Sequence, residues 1–284
     1  MNRMFRRISH SFLAAMMLLS GCASQQGSSL PKASVHSAVE PLSSEMEIGQ
    51  KIHAQILSSF YVYTDQHVVD YLNGLGRRLA SHAERQDLDY RVTLLYSDKI
   101  YATSAPGGFV YITTAMMSTV QSEAELAAIL AHEIARLQYR DPSLSEARKT
   151  LQEVTKAGAM VASVFGPIGA LAAMGLVGIN AAATPHSRTP EKQLEEADHL
   201  AMAYLVASGL DPQAMLDVLE RFMTLQQSDL PRYYDYYQAR PITQDRAAAI
   251  QLDFNQINLE GKTFETGYQE YQELSRGVRE IYRR

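Results

Sequence analysis

The chain has 284 residues and a single cysteine, Cys22, so no internal disulfide can hold it together. It has no excess of positive charge either, because 26 Lys and Arg face 31 Asp and Glu. A nucleic-acid partner needs a basic footprint for its phosphates, and that class is excluded. No repeat of about twenty to fifty residues recurs, which argues against solenoids and propellers. The apolar stretch nearest the start, Phe12 to Leu19, falls short of the about 20 residues that a membrane-spanning helix needs.

What stands at the start is the three-part pattern of a secretory signal. Arg3, Arg6 and Arg7 precede the short apolar stretch, and small residues follow it. Leu19-Ser20-Gly21-Cys22 resembles the bacterial lipobox, whose cysteine is acylated and becomes the new N-terminus. The expectation is therefore a lipoprotein: residues 1–21 as signal peptide, lipid on Cys22 as membrane anchor, and residues 22–43, rich in Ser and Gln, as a flexible tether. Asp after such a cysteine usually means retention in the inner membrane. Ala23 points instead to the periplasmic face of the outer membrane. Loss of the signal removes three arginines and no acid, taking the formal net charge from −5 to −8. About 260 residues remain, enough for a real core, and residues 44–284 are read as the domain.

Alanine-rich, helix-length patterns dominate that domain. Ser44 with Glu47 forms a capping box for a helix to about Tyr61. A second helix, near His67 to Ala83, carries Val68, Val69, Leu72, Leu75 and Leu79 on one face. Arg91 to Tyr96 and Phe109 to Thr113 read as strands, the latter after a Pro106-Gly107-Gly108 turn. Ser122 and Glu125 make a second capping box, opening a helix that ends near Asp141-Pro142. The apolar run from Ala157 to Ala183 is broken by Gly166-Pro167 and made mostly of Ala and Gly. It reads as a packed helical hairpin or lid rather than a span. Thr189-Pro190 and Asp211-Pro212 each start a helix, and a last polar helix covers Gly267 to Arg283. The fold class is mainly α with a small β-sheet.

The sharpest chemical signal is Ala131-His132-Glu133-Ile134-Ala135-Arg136. Zinc peptidases use H-E-x-x-H on a helix because residues four apart share a face: two imidazoles grip the metal and the glutamate works on its water. Here the second histidine position holds Arg136. Alone, a His-Glu pair on a helix more often means a partly exposed polar pair.

Its surroundings carry more. Glu45-Met46-Glu47-Ile48-Gly49, the Pro106 turn with Phe109-Val110-Tyr111, and Glu123-Ala124-Glu125-Leu126-Ala127 run into His132-Glu133. Ser187-Arg188, Glu196-Ala197-Asp198, and Arg240-Pro241 with Arg246 follow in order. In that order and spacing, from about Ser44 to Leu252, the chain resembles peptidase family M forty-eight, the HtpX-like and CaaX-prenyl-protease-like zinc endopeptidases. The resemblance implies a zincin-like frame with the active site on the Ser122 helix, and zinc as the family cofactor. It makes His132 a metal ligand, Glu133 the general base and Asp198 the carboxylate behind the ligands. It places the second ligand at Arg136 and the third at Leu194, neither of which can donate to a cation. Arg240 stands where many members have a histidine. Glu191, Glu195, His186 and His199 are the nearby candidates for substitute ligands. A dication beside Arg136, however, meets repulsion of several kcal/mol at about 4 Å even at a surface-like dielectric. The expectation is that zinc is not bound and that Arg136, with Arg240 near, fills its place by pairing with Glu133 or Asp198.

The resemblance also implies that the strand after the Pro106 turn is a sheet edge able to pair with an extended peptide. The cluster Tyr233, Tyr234, Tyr236, Tyr237 reads as packed surface, and His53, His67 and His82 as exposed helix residues. Three functions follow: a pseudopeptidase that binds unfolded or envelope proteins, a zinc endopeptidase of envelope quality control with substitute ligands, or a scaffold lipoprotein that binds no peptide.

Overall fold

The computed structural model describes residues 42–138, 190–226 and 243–282. The signal, Cys22, most of the tether, the Ala157 to Ala183 run, His186 with Ser187-Arg188, the tyrosine cluster and Arg240 lie outside the described residues.

The described residues form nine helices and a three-stranded sheet. Helix α1 is Leu42–Ser59, so it begins inside the stretch expected to be tether. Helix α2 is Gln66–Ala80, where the Asp65 carboxylate caps the amides of His67 and Val68 at 3.0 and 3.3 Å. Its stripe of Val68, Leu72, Leu75 and Leu79 is buried. Strands β1 (Arg91–Leu95), β2 (Ala102–Ala105) and β3 (Phe109–Thr113) follow, then the short helix α3 (Thr114–Thr119).

β3 is the central strand, in order β1-β3-β2. It pairs parallel with β1, Val92 opposite Val110, and antiparallel with β2, Ser104 opposite Val110. All five of its side chains are buried, as befits a strand covered on both faces. The expectation that it is a peptide-pairing edge is therefore corrected: β1 and β2 are the edges. β2 escaped sequence reading because Ala-Thr-Ser-Ala carries almost no β-branched or aromatic signature. The turn before β3 needs its glycines. Gly107 and Gly108 have φ of 85° and 92°, and a Cβ on Gly108 would stand 2.6 Å from the Asp89 carbonyl oxygen.

Helix α4 (Glu123–Arg136) is the centre of the domain. It is buried from Ala124 to Ala135, with alanines at 124, 127, 128, 131 and 135 that let neighbours approach closely. Ser122 caps it, accepting the Glu125 amide at 3.1 Å, while the Glu125 carboxylate takes the Gln121 amide instead of that of Ser122. Helices α5 (Pro190–Ala207), α6 (Gln213–Gln226) and α7 (Gln244–Gln256) follow, α5 and α6 packing on α4, and α7 on both of those. The final helix is broken at Ser275 into α8 (Tyr268–Leu274) and α9 (Arg276–Glu280). No described helix is long and apolar enough to cross a membrane.

His67 and His82 are exposed as expected, but His53 is not. It is half-buried on α1, its ring stacked on Phe109 at 4.6 Å between centroids and its Nδ1 bonded to the Tyr111 hydroxyl at 2.9 Å. Burial lowers its pKa, and the Arg91 cation lowers it further. An α1 position facing a sheet aromatic cannot be told from a solvent-facing one by local spacing alone.

Candidate functional site

Three helices deliver one polar cluster into the apolar interior. α4 brings His132, Glu133 and Arg136, α5 brings Leu194 and Asp198, and α7 brings Arg246. His132 Nδ1 lies 2.7 Å from Asp198 Oδ1. Arg246 holds the same carboxylate with two donors, Nε to Oδ2 at 2.7 Å and a terminal nitrogen to Oδ1 at 2.9 Å. Glu133 is fully buried. Its Oε2 accepts from Arg136 at 3.1 Å and from the Ser104 hydroxyl of β2 at 3.0 Å.

The charges of this cluster fix its hydrogens. Burial pushes the Asp198 carboxyl upward, but the charge of Arg246 and the hydrogen bonds from Arg246 and His132 outweigh it and bring the group to about 2. A carboxylate only accepts, so His132 Nδ1 must donate. Burial lowers the His132 pKa, with Arg246 adding to the effect, against the pull of Asp198 and Glu133. The ring is then neutral and its Nε2 carries the lone pair. That nitrogen is buried and has no hydrogen-bond partner. An imidazole whose far nitrogen is pinned by a carboxylate is the arrangement in which histidines meet metals.

The family model for peptidase family M48 matches residues 67–252, a segment containing every member of this cluster. The chain belongs to peptidase family M48. It is similar to the beta-barrel assembly-enhancing protease of Escherichia coli K12, 29% identical over 187 residues, which are 63% of this chain and 37% of that protein. It is also similar to the protein of that name in Yersinia pestis, 31% identical over 181 residues, 62% of this chain and 37% of the relative. The match thus spans little more than a third of those relatives' length.

M48 peptidases are zinc-dependent, and the donor set here can be tested against that metal. One donor fits: the bare Nε2 of His132. The position that the resemblance gives to a second ligand holds Arg136, whose guanidinium has no lone pair to give and repels a cation. The third holds Leu194, buried one turn before Asp198 on the same helix and without a donor atom. Of the proposed substitutes, the two among the described residues both face solvent. Glu195 is exposed, and His199 is exposed and paired with Asp253 at 3.2 Å. The Glu191 side chain, His186 and Arg240 lie outside the described residues. Among the described residues no group of three His, Cys, Asp or Glu is placed to hold a metal ion. These residues do not fit a zinc centre.

The structure thus brings His132 to Asp198 and Glu133 to Arg136, with Leu194 buried one turn before Asp198. Arg136 pairs with Glu133, whereas both oxygens of Asp198 are engaged by Arg246. Two contributors were missed in their roles. Arg246 was noticed only for its spacing after Pro241, and a partner 48 residues from Asp198 leaves no local pattern. Ser104 sits in the strand the sequence did not reveal.

Proposed function

We propose that this chain is a pseudopeptidase, a member of a zinc endopeptidase family that keeps the frame and binds protein chains without cutting them. The observation that carries the reading is the Arg136–Glu133 ion pair. A guanidinium four residues after His132 occupies the second ligand position and engages Glu133, the side chain in the general-base position. Catalysis would need Glu133 to take a proton from a metal-held water, and a base tied to a fixed cation is a poor proton acceptor.

The exported setting follows the sequence: lipid on Cys22, a tether of about twenty residues, and the periplasmic face of the outer membrane as location. The relatives' name, beta-barrel assembly-enhancing protease, supports unfolded or envelope proteins as clients. The sheet edge nearest Glu133 is β2, joined to it through the Ser104 hydroxyl.

The test measures zinc per chain, cleavage and binding of labelled β-casein, an unfolded protein, on purified full-length chain. The expected result is sub-stoichiometric zinc, no cleavage, and saturable binding. Stoichiometric zinc with cleavage that Glu133→Ala abolishes would sink the proposal.

A second reading keeps one observation of its own. The partnerless Nε2 of His132 is what a ligand waiting for metal looks like, and an active enzyme with substitute ligands would use it. The same assay decides between the two.

A further inference from the structure

We infer that Glu133 has passed from general base to structural counter-ion, and that Arg136 is the resident cation for which it is kept. The inference rests on the metal-free reading above. It accounts for the survival of the glutamate where two ligands beside it are gone.

The Glu133 side chain has no exposure to solvent. A carboxylate in that position persists only if it is paired and hydrogen-bonded. In a working metallopeptidase the nearby dication supplies the positive charge, and the glutamate keeps a path to water so that it can take a proton and release it. Both conditions are replaced here. The positive charge comes from the protein itself, since Arg136 stays protonated under all ordinary conditions. Oε2 is engaged by two donors, Arg136 at 3.1 Å and Ser104 Oγ at 3.0 Å.

Arg136 is well placed for this work. It is the last residue of α4, where a cation meets the exposed carbonyls of the helix end. Its three-residue spacing from Glu133 puts both side chains on one face. Ser104 adds a mechanical consequence, for it belongs to the edge strand β2. The buried carboxylate therefore joins α4 to the sheet edge by hydrogen bonds. A zinc ion and Arg136 would compete for the same charge, so the two are alternative occupants.

The test is a double-mutant cycle on the full-length chain in detergent, read as the thermal midpoint with EDTA present. Arg136→Met lowers the midpoint by on the order of 10 °C, because truncating one partner strands a buried charge. Glu133→Gln with Arg136→Met recovers most of that loss, since the amide has no charge to balance. An Arg136→Met variant that melts like the parent overturns the inference, as does a double variant no better than Arg136→Met. If Arg136→Met does not fold, the double variant decides alone: folded, it supports the pairing; unfolded, it overturns it. Zinc per chain in the parent separates the two levels. A metal-bound parent sinks the pseudopeptidase reading along with this one, whereas a metal-free parent with additive substitutions sinks only this one.

Discussion

His132 Nδ1 and Asp198 Oδ1, 66 residues apart, stand 2.7 Å from each other inside the core, and Arg246 grips the far side of the same carboxylate. The chain of three joins α4, α5 and α7 without needing an ion between them. The three side chains form a polar staple across these helices.

Removing its middle member strands both ends. Asp198→Ala leaves the Arg246 guanidinium buried with its main partner gone and frees His132 Nδ1. The expected loss is about 3–5 kcal/mol of unfolding free energy, measured by urea titration. A loss below about 1 kcal/mol would mean that solvent already shares this site.

Backbone conformation makes an independent forecast. Gly108→Ala forces a side chain onto φ of 92° and into the Asp89 carbonyl, whereas Gly74, inside α2, has nothing within 4 Å of an added Cβ. Gly108→Ala is expected to cost about 2 kcal/mol or more, and Gly74→Ala to gain about 0.5–1 kcal/mol. The pair is measured side by side by urea denaturation. Equal effects would show that the Pro106 turn relaxes freely.

What the sequence disclosed of this architecture follows physical lines. The stripe of α2 and the Ser122 cap of α4 were legible because helix periodicity and capping are local properties, written within a few residues. The central place of β3 was not, because strand order is settled by partners that local pattern does not name. β2, α3 and α7 were overlooked for related reasons. β2 and α3 are too short for a period to show, and α7 offers only Arg246 and Ile250 as buried residues, too few to mark a face. The cluster divided the same way. Motif spacing brought His132, Glu133, Arg136, Leu194 and Asp198 together, but which cation would take which carboxylate depended on Arg246, on another helix.

His53 links stability to acidity. Its folded pKa lies below the ordinary 6.5, through burial and then Arg91, so the unfolded chain binds a proton more readily than the folded one. Its contribution is whole above the unfolded value and is lost as pH falls through 6.5 toward the lower folded pKa. Urea midpoints from about pH 8 to about pH 5 should therefore fall more steeply in the parent than in His53→Gln, which keeps a polar group for Tyr111 but does not titrate. Parallel curves would assign the acid slope to other groups.

Metal removal gives the most direct contrast with a working relative. A ligand bound only by the folded state raises the midpoint with its concentration, by about 2.7 kcal/mol at a hundred times its dissociation constant. A protein clamped by zinc across α4 and α5 loses that increment in chelator. In this chain His132–Asp198–Arg246 and Ser104–Glu133–Arg136 already supply the cross-ties. The thermal midpoint is therefore expected to be the same, within about 1 °C, in EDTA and in excess zinc. Arg136→His combined with Leu194→Glu places two donors beside the bare Nε2 of His132, on a carboxylate support that is already assembled. That variant is expected to gain about one zinc per chain and a midpoint that EDTA lowers. A parent whose midpoint rises with zinc would show that the guanidinium yields its place to the ion.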